Sequence, residues 1–156
     1  PRTGTDMPVR RAARLLVLDE RDALLLIEGF DPADRSSGTW WFTPGGGLED
    51  GEDAEQAARR ELREETGAVA GRLVEIGEER TADFAFDGQR FVQTERYFAV
   101  RLPRFDPVAT ELTDLERRSH LGPRWWTRAD FDAEQPVAFP DDLRARWESA
   151  IRATAL

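Results

Sequence analysis

The stretch from Gly45 to Ala68, GGGLEDGEDAEQAARRELREETGA, constrains the fold more than any other part of the chain. Three glycines open it, and their lack of side chains allows the backbone to approach a neighbouring group closely. We predict a helix from Asp53 to Thr66, because acidic residues crowd its first turn and Gly67 is a typical residue just beyond a helix end. Any fold of this chain must therefore place a glycine loop directly before an acidic helix.

The acidic residues of this helix lie where a simple surface helix would not place them. Its apolar stripe is formed by Ala54, Ala57, Ala58 and Leu62. At about 100° per residue, Glu61 and Glu65 fall within that stripe and Glu64 flanks it. A buried carboxylate needs a partner, and like charges four residues apart near a helix C-terminus repel each other. The pattern indicates either a cation between the carboxylates or a solvated face paired with nearby arginines.

The spacing of the stretch resembles the signature of the Nudix hydrolases. The matching positions are Gly46, Glu52, Arg60, Glu61, Leu62, Glu64, Glu65 and Gly67. A random starting position would match roughly once in 10⁹ at average residue frequencies. The signature runs from Gly46 to Ala68 and departs from the family only at Ala68, where a larger aliphatic residue is usual. That departure concerns packing, so the resemblance, which extends from Ala12 to about Phe131, predicts the family's chemistry.

The resemblance implies a metal site. The implied ligands are the carbonyl oxygen of Gly45 or Gly46 and the carboxylates of Glu61, Glu64 and Glu65. Glu52 and Arg60 would form a supporting pair that orients the ligand helix. Hard oxygen ligands at this density suit Mg²⁺ or Mn²⁺, which can bridge phosphate oxygens and lower the pKa of a bound water. We therefore expect a Mg²⁺ or Mn²⁺ cofactor.

The general base is not fixed by the resemblance, because it varies within the family. Glu61 is the candidate on the helix, where Glu64 is also expected to be a catalytic residue. The other source is the polar segment Pro103–Arg118, which we interpret as a loop. Glu116 is the first choice there and Glu111 the second, because Glu116 lies nearer the following strand.

Apolar alternation along the rest of the chain predicts a sheet covered by helices. The predicted strands are Ala12–Leu18, Ala23–Ile27, Thr39–Thr43, Leu73–Ile76, Ala82–Phe86, Phe91–Leu102 and Leu121–Thr127. The first two are apolar at nearly every position, so they should be covered on both faces. A helical turn at Arg128–Phe131 and a helix at Asp141–Ala153 follow. We predict an α/β (α+β) class fold: a Nudix-like α/β/α sandwich with a mixed sheet between helices, in a single domain over residues 1–156 with residues 1–8 flexible.

Composition excludes several classes of function. The chain has no cysteine and a net charge of −9. Thiolate metal sites and disulfides are therefore excluded, and an affinity for duplex nucleic acid is not expected. No apolar run is long enough to cross a bilayer, and no signal peptide opens the chain, so we predict a cytoplasmic protein without membrane contact. The expected partners are a small-molecule nucleotide and, as one option, a second copy of the chain in a homodimer.

The predicted activity is metal-dependent hydrolysis of the pyrophosphate linkage in a nucleoside diphosphate linked to another group. A nucleoside triphosphate or a modified one is favoured, because markers of the other substrate classes are missing at their usual offsets. The alternatives are an ADP-ribose or dinucleoside polyphosphate hydrolase and a nucleotide sensor without activity; a prenyl diphosphate isomerase would require a cysteine. Arg35 is a candidate for phosphate contact, and Trp40 and Phe42 are candidates for stacking a nucleobase, although aromatic residues on strands are more often core.

Overall fold

The computed structural model describes residues 9–155, which form eight strands and four helices. In chain order these are β1 (Val9–Leu18), β2 (Leu24–Phe30), β3 (Thr39–Phe42), β4 (Gly45–Gly47), α1 (Ala54–Thr66), β5 (Val74–Phe86), β6 (Gln89–Arg101), α2 (Asp114–Ser119), β7 (His120–Trp126), α3 (Arg128–Glu134), β8 (Ala138–Phe139) and α4 (Leu143–Ala153). The predicted flexible segment, residues 1–8, lies outside the described residues. No helix within 9–155 has the length and apolar character needed to cross a membrane.

The strands form one mixed sheet. Its main path runs β5-β6-β1-β2-β3-β8, with β4 paired to β1 and β7 paired to β2. β1 is parallel to β6 along its whole length, from Val9 opposite Val92 to Leu18 opposite Arg101. The other edge of β1 is shared by β2 at Leu18 and by β4 at residues 12–14. This sharing brings the glycine strand beside the centre of the sheet.

Helices cover the two faces of the sheet, as the apolar pattern of β1 and β2 predicts. Leu15 and Val17 of β1 belong to the core cluster that contains α1. Leu16 and Leu18, which point to the opposite face, belong to the cluster that contains α4. Full burial of one such side chain stabilises the fold by about 1.5–3 kcal/mol. The α+β class and the mixed sheet between helices are therefore confirmed.

Three local expectations are wrong. The predicted glycine loop is a strand, because residues 45–47 pair with β1. The predicted loop Pro103–Arg118 ends in helix α2, because Thr113 and Glu116 form a capping box: each side chain accepts a hydrogen bond from the other's backbone N–H. The segments Leu73–Ile76 and Ala82–Phe86 belong to one strand, β5, whose pairing with β6 shifts register between Ile76 and Arg80.

Candidate active site

The bounds of α1 are fixed by its two ends. At the N-terminus the Asp53 side chain accepts a hydrogen bond from Gln56 N at 2.8 Å, and the Gln56 side chain accepts one from Asp53 N at 2.9 Å. At the C-terminus Gly67 adopts φ 79° and its N–H donates to Arg63 O, a left-handed position that suits glycine. The helix predicted from Asp53 to Thr66 is confirmed, with Asp53 as its cap. Its register directs the predicted carboxylates towards β4.

Three carboxylates from two helices converge. One oxygen each from Glu61, Glu65 and Glu116 lies within 4.8 Å of the others. We call these three residues the acidic group. Glu61 and Glu65 are 8% and 5% exposed, and Glu116 reaches them from α2. Glu111, the second choice for the general base, is exposed. Within the described residues 9–155, it does not belong to the acidic group.

The acidic group fits a divalent cation. All its donors are oxygens, the kind of ligand that Mg²⁺ and Mn²⁺ prefer. Glu65 Oε2 is buried and has no hydrogen-bond partner in the described part of the chain. A buried oxygen without a partner is costly unless something else contacts it. A cation held by the three carboxylates would supply that contact.

Burial raises the pKa of Glu65 well above its ordinary value. The close approach of Glu61 and the charges of Glu61 and Glu116 raise it further, whereas the charge of Arg14 lowers it. Without a cation, the Glu65 carboxyl group therefore favours its protonated form more than an ordinary glutamate does. A metal ion would displace that proton, so metal affinity should rise with pH.

The glycine strand fits closely against the acidic group. A Cβ atom built on Gly46 would lie 2.5 Å from Glu61 Oε1, so no side chain is accommodated there. Gly45 adopts φ 145°, and its N–H donates to Glu65 Oε1 at 3.4 Å. The Gly45 carbonyl accepts a hydrogen bond from Arg14 NH1 at 3.1 Å and keeps a second lone pair. Two glycines thus bring the backbone next to both buried carboxylates.

Arg60 connects the glycine strand to the helix. It forms a two-pronged pair with Glu52, at 2.8 and 2.9 Å, and its NH2 also donates to Gly47 O at 2.9 Å. Its NH1 contacts Glu61 Oε1 at 3.0 Å and Glu64 Oε2 at 3.1 Å. The hydrogen bond with Glu52 is the largest cause of the raised pKa of Arg60. Glu64, predicted as a ligand, therefore lies against Arg60 and outside the acidic group.

Replacing Arg60 with lysine is expected to loosen this support. An ammonium group cannot make the two-pronged contact with Glu52 while it also contacts Glu61 and Gly47 O. We expect the melting temperature in EDTA to fall by about 5 °C and kcat to fall by about tenfold. Thermal melts and steady-state rates measure both quantities. Arg63→Lys, at an exposed position on the same helix, is the control; equal behaviour of the two variants would contradict the supporting role.

A cleft of about 610 Å³ extends from the acidic group. Of the acidic group only Glu116 lines it, together with Gly45. The aromatic side chains that line it are Phe30, Trp40, Phe42, Phe84, Phe86, Tyr97, His120 and Phe139. The structure thus places Trp40 and Phe42 in the cleft wall. Arg35 is not among the lining residues; its guanidinium lies 4.5 Å from the centre of the Phe30 ring. The volume and the aromatic walls suit a nucleoside, whose base can stack on such rings.

Arg14 and Glu95 are among the charged residues of the cleft that were not predicted from the sequence. Arg14 Nε donates to Glu95 Oε2 at 3.1 Å, and both side chains line the cleft. A charged residue in the middle of an apolar strand could have pointed to both of them, since Arg14 interrupts β1 and Glu95 interrupts β6. Their pairing was not readable, because it depends on the parallel alignment of β1 with β6.

Known proteins resemble this chain over most of its length. The model of the NUDIX domain family matches residues 8–147. The chain is 33% identical over 124 residues to Nudix hydrolase 25 of Arabidopsis thaliana, which covers 72% of this chain and 69% of that protein. It is 35% identical over 125 residues to an RNA pyrophosphohydrolase of Novosphingobium aromaticivorans, which covers 73% of this chain and 71% of that protein.

Solved structures share the fold. A NUDIX hydrolase from Nitrosomonas europaea superposes with a TM-score of 0.65 at 22% identity, over 94% of this chain and 90% of that one. At this identity the likeness concerns the fold alone. The family model spans most of the chain, and the two relatives match over most of their length. The chain therefore belongs to the Nudix hydrolase family, whose enzymes act on phosphoanhydride bonds of nucleotides and generally use divalent metal ions.

Proposed function

We propose that this protein, as a single domain, hydrolyses the pyrophosphate linkage of a nucleoside triphosphate with Mg²⁺, or Mn²⁺ in its place. The observation that carries the proposal is the convergence of Glu61, Glu65 and Glu116 within 4.8 Å at one end of an aromatic cleft. These carboxylates would hold the metal, together with the carbonyl of Gly45 or Gly46. When bound, the metal would offset negative charge on the phosphate oxygens and lower the pKa of a water.

The chain's own groups supply positioning. The aromatic walls of the cleft hold the nucleoside and exclude water from it. Arg60 and Glu52 fix α1 against β4, so that the carboxylates of Glu61 and Glu65 keep their separation. Glu64 contacts Arg60 and reaches the site through it. We therefore assign Glu64, Glu52 and Arg60 to the support of the site.

Glu116 is our choice for the general base. It reaches the acidic group from α2 and, unlike Glu61, is among the residues that line the cleft. Replacing Glu116 with glutamine is expected to lower kcat at least about 10²-fold, because a positioned base contributes that much. Glutamine can still accept the Thr113 N–H bond of the capping box, so the helix should persist.

The matched control for this change is Glu111→Gln. Glu111 is exposed on the same segment, and the variant should keep kcat within about twofold. A pH profile of kcat for both variants completes the comparison. Loss of activity in Glu111→Gln with a normal Glu116→Gln would reverse the assignment, and normal activity in both would leave Glu61 as the base.

The volume of the cleft and the net charge of the chain support this substrate class. A cleft of about 610 Å³ accommodates one nucleoside with its phosphates, and a net charge of −9 does not favour long polynucleotides. A second candidate is the triphosphorylated 5′ end of RNA, because one relative at 35% identity is named an RNA pyrophosphohydrolase. ADP-ribose and dinucleoside polyphosphates remain alternatives. The cytoplasmic location, the homodimer and the absence of duplex binding and membrane contact stay predictions.

The deciding experiment is a substrate panel. It contains the ribonucleoside and deoxyribonucleoside triphosphates, diadenosine tetraphosphate, ADP-ribose and a 5′-triphosphorylated RNA oligonucleotide, each assayed with Mg²⁺ and with EDTA. We expect phosphate or pyrophosphate release from a triphosphate in Mg²⁺ and none in EDTA. Tight binding of one member without turnover of any would instead identify a nucleotide sensor.

A further inference from the structure

A buried carboxylate lies in the cleft, outside the acidic group. Glu95 is 5% exposed and accepts four side-chain hydrogen bonds. The donors are Arg14 Nε at 3.1 Å, Arg80 NH1 at 3.4 Å, Gln93 Nε2 at 2.7 Å and Tyr97 OH at 3.0 Å. Burial raises the pKa of Glu95, but the charge of Arg14 and these hydrogen bonds outweigh it and leave that pKa below its ordinary value. A buried carboxylate that accepts such hydrogen bonds keeps the donor side chains in fixed positions.

Arg14 is the partner of Glu95 that also reaches the glycine strand. Its Nε is engaged by Glu95, and its NH1 donates to Gly45 O at 3.1 Å. Its NH2 has no hydrogen-bond partner among residues 9–155. The side chain is 17% exposed and lines the cleft. A guanidinium has five N–H donors, so Arg14 retains unused donors where the cleft meets the glycine strand.

Two other arginines near the site, Arg60 and Arg80, have their terminal nitrogens occupied. Arg60 divides its donors between three carboxylates and the Gly47 carbonyl. Arg80 contacts Glu95 through NH1 and Asp141 through NH2. Of the two arginines that line the cleft within the described residues, Arg14 alone keeps a terminal nitrogen without a partner. Among the arginines that line the cleft, it is therefore the one able to accept a new anionic ligand.

We propose that Arg14 binds the phosphate group next to the nucleoside, and that Glu95 positions the guanidinium for this contact. The inference rests on the proposed function, in which the nucleoside occupies the aromatic cleft and the scissile linkage lies at the acidic group. The first phosphate then lies between the nucleoside and the acidic group. At this place Arg14 borders the cleft beside Gly45 and interacts electrostatically with Glu65. Its positive charge offsets the repulsion between phosphate and carboxylates, and its planar group suits phosphate oxygens.

The test compares ligands that differ only in the phosphate. NMR titrations in EDTA measure the affinities of AMP, GMP, CMP and UMP and of the four matching nucleosides. Arg14→Gln is expected to weaken binding of the best monophosphate by about 10- to 100-fold. Its affinity for the matching nucleoside should stay within about twofold. Arg96→Gln removes an exposed arginine of β6 that pairs with Glu75 and does not line the cleft; it is the matched control, with an unchanged ratio of the two affinities.

A second variant guards against misfolding. Arg14→Lys keeps a positive charge but cannot contact Glu95, Gly45 O and a phosphate together, so it should lose at least about fivefold in monophosphate affinity. The inference would be overturned if both Arg14 variants retained their affinity for the monophosphate, or if they lost affinity for the nucleoside equally. Turnover by the wild type would still support the proposed function in either case. A wild type that binds and hydrolyses none of the panel overturns both.

The positioning role of Glu95 has its own readout. Glu95→Gln preserves the shape of the side chain but removes the charge that holds Arg14. We expect KM for the hydrolysed nucleotide to rise by about tenfold, with kcat within about threefold. A purely structural role would lower the melting temperature and leave KM unchanged, and that result would remove Glu95 from the proposal.

Discussion

Replacing Glu65 with glutamine is expected to lower kcat at least about 10²-fold and to leave the fold intact. The carboxylate is buried in the acidic group, and its loss removes one charged metal ligand. The glutamine amide can donate a hydrogen bond to the nearby Glu61, while its oxygen still accepts the Gly45 N–H. The variant should therefore fold without metal and fail in turnover. Steady-state rates in Mg²⁺ and thermal melts in EDTA measure the two effects.

The raised pKa of Glu65 also fixes the sign of a pH dependence. A carboxyl group whose pKa is higher in the folded state stabilises the fold below its unfolded pKa of about 4.3. That stabilisation is lost as the pH rises through the folded pKa. In EDTA at pH 8, Glu65→Gln should thus melt at the wild-type temperature or above it, and any gain should shrink at pH 5. Added Mg²⁺ should raise the melting temperature of the wild type only.

The control for this variant is Glu55→Gln, an exposed carboxylate on the same helix. It should retain both activity and the Mg²⁺-induced rise in melting temperature. Near-full activity in Glu65→Gln would remove Glu65 from the site. A Mg²⁺ response that persists in Glu65→Gln would show that the cation binds elsewhere.

Replacing Gly46 with alanine is expected to cause a loss of similar size by a different route. The new Cβ would lie 2.5 Å from Glu61 Oε1 and 2.9 Å from Glu61 Cδ. The carboxylate is the end of a side chain, so it can shift by about 1 Å without disrupting the core. A shift of that size at a catalytic group costs about 10²-fold in rate. We therefore expect a large fall in kcat together with a small fall in melting temperature.

Two other glycines provide graded controls. In the described part of the chain no atom lies within 4 Å of a Cβ built on Gly71, so Gly71→Ala should leave activity unchanged. A Cβ on Gly47 meets Arg10 Nε at 3.3 Å, and that arginine can move, so Gly47→Ala should cost only a few-fold. Equal rates for the three alanine variants would show that the close approach of Gly46 to Glu61 does not matter for turnover.

Local patterns in the sequence were sufficient to predict α1 and the face on which its carboxylates lie. The about 100° turn per residue placed Glu61 and Glu65 on the packing face, and both are buried there in the structure. The choice of Glu116 over Glu111 followed from distance along the chain. The structure brings Glu116 to the acidic group because it lies on α2, whose Thr113–Glu116 capping box was present in the sequence but interpreted as loop.

Contacts between distant residues were not accessible in this way. Arg14 and Glu95 are separated by 81 positions, and only the order of strands in the sheet makes them neighbours. The same holds for the pairing of β4 with β1, which converted an expected glycine loop into a strand. Alternation within one strand identifies the face of a residue, but it contains no information on which strand lies alongside.

The parallel alignment of β1 with β6 has a consequence for biosynthesis. During synthesis β1 leaves the ribosome well before β6. The sheet cannot be completed until β6 has also emerged, since Val9 pairs with Val92 and Leu18 with Arg101. At about 5–20 residues per second, the separation of 83 positions between paired residues corresponds to about 4–17 s. Throughout that interval the apolar run of β1 lacks its long-range neighbour and is a natural target for chaperones that shield unpaired strands.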